Sequence, residues 1–111
     1  MEQVRVIVSR GQTAWVAQGL EYDVAAQGPT VHDAMLAWVK TFVCEVARDL
    51  RAGKQPLETV PRAPQRFFAL WEGAEARPSF EVPRPSDFAC GNIPPSWMIN
   101  KFTPDTRIVV S

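Results

Sequence analysis

Gly28-Pro29-Thr30-Val31-His32-Asp33-Ala34-Met35 opens the stretch that decides the fold, and Arg51-Ala52-Gly53-Lys54 closes it. Gly28-Pro29 stops whatever precedes it, because proline has no amide with which to continue a ladder. Thr30 is a good N-cap: its hydroxyl accepts from the first orphan backbone amides. Asp33, three residues on, approximates a capping box and suits the positive end of the helix dipole. Val31, Met35, Trp38, Val39, Phe42, Val43, Val46 and Leu50 then recur at three- and four-residue steps, with Lys40, Glu45, Arg48, Asp49 and Arg51 between them. That is the periodicity of a helix with one apolar face. Gly53 falls just past the end, where a left-handed backbone is needed, and Arg51 and Lys54 complement the negative dipole terminus. The pattern predicts a helix from residue 31 to about residue 52. Each large apolar side chain on its face contributes about 1.5–3 kcal/mol if fully buried, so the helix requires a sheet to lie on.

The upstream residues supply that sheet. Val4 to Arg10 alternates, with Val4, Val6 and Val8 on one face and Arg5, Ile7 and Ser9 on the other, as a strand does. Gly11-Gln12-Thr13 carries turn chemistry before Trp15-Val16-Ala17, so the first two strands are expected to form an antiparallel hairpin. Gly19 bends or ends the second strand, and residues 22–27 read as a third strand weakened by its alanines.

Beyond residue 55 the texture changes. Nine of the ten prolines lie there, which excludes long regular elements. Seven of the eleven aromatic residues lie there too, which is wrong for a solvated linker. Pro64 suits the first turn of a short helix over Gln65 to Glu72, closed by Gly73. The rest is expected to wrap as an extended arm. Arg107-Ile108-Val109-Val110 is a β-branched run able to pair with an open sheet edge in its own subunit or a neighbour's. The expected fold class is therefore α+β. A small antiparallel three-stranded sheet is packed by one long amphipathic helix (β-β-β-α), followed by a proline- and aromatic-rich extension with a short helix and a final strand. In domain terms, residues 1–54 are the core and residues 55–111 pack on it or on a neighbouring subunit, one domain overall.

The chain has 111 residues, the size of one ordinary domain. Lys plus Arg and Asp plus Glu both count 12, so no global basic field draws in nucleic acid. The start has neither a basic n-region nor an apolar h-region, and no run approaches the length of a membrane span. A cytoplasmic protein without membrane contact is expected. In that reducing setting a disulfide between Cys44 and Cys90 is not expected, and Cys44 reads as a small core thiol.

Three short strands, Trp15-Val16-Ala17 in the second of them, then Ala26-Gln27-Gly28-Pro29-Thr30, then Asp33-Ala34 opening the helix, resemble the HicB-like antitoxin domain, which has a truncated ribonuclease-H-like fold. The resemblance covers residues 4 to about 50. It implies a non-catalytic module that masks a partner protein, in the manner of an antitoxin occluding a small basic ribonuclease toxin. Family members usually carry a Leu-Pro-Gly-Cys-like stretch between the second and third strands, where this chain has Glu21-Tyr22-Asp23-Val24. Many also append a DNA-binding helix pair, for which the proline-rich tail has no counterpart, so DNA binding is not carried over. The first strand offers no aspartate to begin a metal-binding carboxylate cluster, so nuclease activity is not carried over either.

The residues themselves carry no catalytic signature: there is no Gly-rich phosphate loop, no Cys-x-x-Cys pair and no Gly-x-Ser-x-Gly elbow. His32 reads as an exposed helix-start residue. Cys90 has no base near it in sequence. Glu45 and Asp49 read as a solvated charged face beside Arg48 and Arg51 rather than a cation site. Catalytic, cofactor and metal residues are all expected to be absent. Glu21, Tyr22 and Asp23 are the candidate contacts for a basic protein. Phe67, Phe68, Trp71 and Trp97 are the candidate interface aromatics. Arg48, Arg51, Lys54, Arg62 and Arg66 bracket the end of the long helix as a basic patch with Phe67 nearby, a weaker candidate for single-stranded nucleic acid. Two further readings stand beside the antitoxin-like module. One is a self-associating accessory protein, a dimer or higher homo-oligomer; the other is a small enzyme or ligand carrier with a pocket between sheet and tail, lined by Trp15, Trp71 or Trp97.

Overall fold

The computed structural model describes residues 2–76 and 102–109. In chain order the elements are β1 (Glu2–Arg10), β2 (Trp15–Gly19), β3 (Ala25–Gly28), α1 (Val31–Arg51), α2 (Gln65–Glu72), β4 (Glu75–Ala76) and β5 (Phe102–Ile108). The α+β class, the hairpin, the long helix after three strands and the short helix at residues 65–72 are all as expected.

The sheet is larger than the three antiparallel strands expected. Among the described residues it has five strands in the order β3-β2-β1-β5-β4. β1 pairs antiparallel with β2, with Val8 opposite Ala17, and β2 pairs antiparallel with β3, with Ala17 opposite Ala26. The other edge of β1 is taken by β5 in parallel, from Glu2 opposite Phe102 to Val8 opposite Ile108. The last strand thus pairs within its own chain and occupies an interior position in the sheet. It also starts earlier than its β-branched run suggests and contains Pro104, opposite Val4. Proline is tolerated where a strand has a neighbour on one side only, and among the described residues β5 meets β4 at Ile108 and Arg107, away from Pro104.

α1 begins as its sequence dictates. Thr30 has extended backbone, and its Oγ1 accepts from the Asp33 amide at 3.0 Å. Gly53 has φ +72°, the left-handed conformation required past the helix end. One face of α1 buries Met35, Trp38, Val39, Phe42, Val43 and Val46 against Val4, Val6 and Val8 of β1 and Ala17 of β2. Trp38 is fully buried, stacks on Phe42 with centroids 4.9 Å apart, and donates its indole N–H to the Val24 carbonyl at 2.9 Å.

The opposite face of the sheet carries a second, smaller core. There Ile7, Leu20, Ala63 and Trp71 are buried, with Phe67, Phe68, Ala74 and Val109 packed around them. The alternation of β1 therefore feeds two cores, valines to α1 and Ile7 to α2. The segment between the helices is tied to the loop after β2: the Asp23 amide donates to Pro61 O at 2.7 Å and the Ala63 amide to Leu20 O at 3.0 Å.

Two residues of α1 depart from expectation. Asp49, placed by its charge on the solvated face, is buried, and its Oδ2 accepts from the Leu57 amide at 2.9 Å. Leu57 needs that anchor: it is buried with φ +65°, a left-handed conformation that costs a non-glycine residue about 1–2 kcal/mol. Cys44 is disulfide-bonded rather than a free core thiol; its partner lies outside the described residues. The expectation rested on an assumed reducing compartment, and the spacing of the two cysteines carried no signal of the pairing.

Candidate functional site

β3 is the outermost strand on its side of the sheet and has β2 as its one strand neighbour among the described residues. Ala25 and Gln27 on it are exposed. Beside its first residues a groove of about 420 Å³ runs between Asp23, Val24 and Ala25, the α1 residues Thr41, Glu45, Arg48 and Asp49, and the loop residues Thr59, Val60 and Pro61. Three carboxylates and one guanidinium line it. Arg48 pairs with Glu45 within α1, and Asp49 is committed to Leu57 N. Asp23, the third carboxylate, is exposed and has no ion-pair partner among the described residues.

Asp23 is held in place from below. Gln18, buried in β2, donates its Nε2 both to Gly19 O at 2.9 Å and to Asp23 Oδ1 at 2.8 Å. Because Asp23 N is also bonded to Pro61 O, both side chain and backbone are fixed, so little conformational entropy remains to be lost on binding. Gln18 is the site residue the sequence reading missed. A glutamine between Ala17 and Gly19 in a strand was the only signal for it.

The three predicted contact residues separate in the structure. Glu21 is engaged within the chain: Oε1 accepts from the Arg5 amide at 2.6 Å and Oε2 from Arg5 Nε at 2.7 Å, with Nη2 at 2.7 Å. Tyr22 is half-buried and packs on Phe42, centroids 5.9 Å apart. Only Asp23 of the three is an exposed side chain. His32 is exposed in the first turn of α1.

The predicted aromatics lie in the second core. Trp71 is buried, and Phe67 and Phe68 are half-buried; Trp97 lies outside the described residues. Trp15 packs on the α1 side of the sheet and Trp71 belongs to the α2 side, so these two do not line one pocket. Arginines cover the rings: Arg107 and Arg5 lie over Trp71 at 4.4 and 5.7 Å, Arg5 and Arg62 over Phe68 at 5.2 and 4.8 Å, and Arg66 over Phe67 at 4.8 Å.

Among the described residues no group of three or more His, Cys, Asp and Glu is placed to hold a metal ion. No helix there is long and apolar enough to cross a membrane. No family model, curated protein or solved structure matches the chain.

Proposed function

We propose that this chain is a non-catalytic protein-binding module that takes up an extended segment of a basic partner along β3. In the reading implied by the HicB-like resemblance, the partner is a small basic ribonuclease of the toxin type, masked by the contact. The observation that carries this is the conjunction of an outer strand with the fixed Asp23 carboxylate at its start and an acid-lined groove beside it. Added strands gain main-chain hydrogen bonds from such an edge, and flanking side chains give specificity. A basic segment matches the sign of the groove and is steered to it electrostatically. Three strands leading into one long helix are also the arrangement on which the resemblance stands.

The test is gentle purification of the tagged protein from its own host, followed by a native mass spectrum. The expected species is a complex with a small basic protein. Ala25→Lys with Gln27→Lys, both at exposed positions, places like charge along the strand and is expected to abolish the complex while the thermal melt stays unchanged. A wild-type protein recovered only as a monomer or homo-oligomer contradicts the proposal.

A further inference from the structure

We propose that the exposed side of α2 is a second docking site, for an acidic peptide segment of a partner protein that also carries an apolar side chain. Arg62 and Arg66 are exposed. Each guanidinium rests 4.8 Å from a ring centroid, on Phe68 and Phe67 respectively. A guanidinium held on a ring keeps its N–H fork free at the edge, and it sacrifices less freedom when it grips a carboxylate. Arg5, in the same cluster, already has Glu21 as counter-ion, and Arg107 spends a donor on Trp71 O at 2.9 Å. Arg62 and Arg66 have no carboxylate at ion-pair distance among the described residues. A local cationic surplus therefore persists on a chain with no net charge.

Leu70 fixes the kind of partner. At 41 % exposure it is the one large hydrophobic residue that stands exposed among the described residues, and it lies four positions from Arg66, on the same side of the helix. A carboxylate for the guanidiniums and an apolar side chain for Leu70 together describe an acidic, partly hydrophobic peptide. Single-stranded nucleic acid fits less well. It needs open ring faces on which bases can stack, whereas the faces of Phe67, Phe68 and Trp71 carry guanidiniums, and Leu70 offers nothing to a phosphate.

The experiment is fluorescence polarisation of the full chain with three labelled probes: a short peptide of alternating glutamate and leucine, the same peptide with lysine for glutamate, and a short oligouridine. The glutamate peptide is expected to bind, more weakly as salt rises, and the lysine peptide is not expected to bind at this surface. Arg62→Glu with Arg66→Glu is expected to weaken binding roughly tenfold or more, and Leu70→Ser to weaken it independently. Lys40→Ala, at an exposed position of α1, leaves it unchanged, so the loss in the arginine variants is not a general charge effect. Near-ultraviolet circular dichroism of each variant confirms that the second core is intact. No binding of the glutamate peptide, undiminished binding by the double glutamate variant, or tighter binding of oligouridine overturns the proposal.

Discussion

At Gly28 the fold depends on the absence of a single methyl group. A Cβ there would sit 2.7 Å from the Asp33 carbonyl carbon and from the Ala34 amide nitrogen, so β3 reaches the start of α1 only because the side chain is missing. Gly28→Ala is expected to destabilise by about 1–3 kcal/mol, as overpacking does, read as a lower urea midpoint at unchanged slope. In sequence, Gly28 was legible as a strand stop, but the close approach that requires it was not, because it depends on how β3 meets the helix. Asp49 was illegible for a related reason. Its partner is a backbone amide eight residues on, created by the left-handed turn at Leu57, while its charge pointed to solvent. Asp49→Ala leaves that buried amide without an acceptor and is expected to cost about 1–3 kcal/mol. Asp49→Asn keeps an acceptor oxygen and is expected to cost less, which equilibrium unfolding of the two variants will show.

At the scale of elements, local physics was read well and long-range pairing was not. Both helices appear within a residue of their expected ends, because caps, proline and glycine act over one turn. Thr30→Ala, which removes the N-cap acceptor, is expected to lower stability by about 1 kcal/mol. The parallel pairing of β1 with β5 joins distant parts of the chain, and no short-range signal encodes it. β5 also brings buried side chains to the α1 core, and Val109, just after it, packs against the second. Ile108 joins the α1 core, and the buried Thr106 hydroxyl lies 3.9 Å from Met35 Sδ. A chain ending before Phe102 is therefore expected to lose cooperative unfolding altogether, measured by calorimetry. A sharp transition in that truncated protein would mean that residues 1–101 carry the fold without β5.

On the scale of the whole molecule, one sheet separates two surfaces of opposite sign: the acid-lined groove beside β3 and the arginine-covered aromatics of α2. The acidic loop was legible as a candidate contact, yet only Asp23 of its three residues faces outward. Arg5 captures Glu21 and Phe42 receives Tyr22, and both partners come from other elements. The disulfide at Cys44 adds a covalent tie. Thiol titration of the denatured protein is expected to find no free thiol before reduction and two after it, the full cysteine count.

The central claim is that β3 is where a partner strand is added, and amide hydrogen exchange tests it most directly. With the co-purified basic partner bound, the amides of Ala25 to Gly28 and the side of α1 lining the groove are predicted to exchange more slowly than in the free chain. Protection confined to other surfaces, with β3 exchanging as before, would contradict the account.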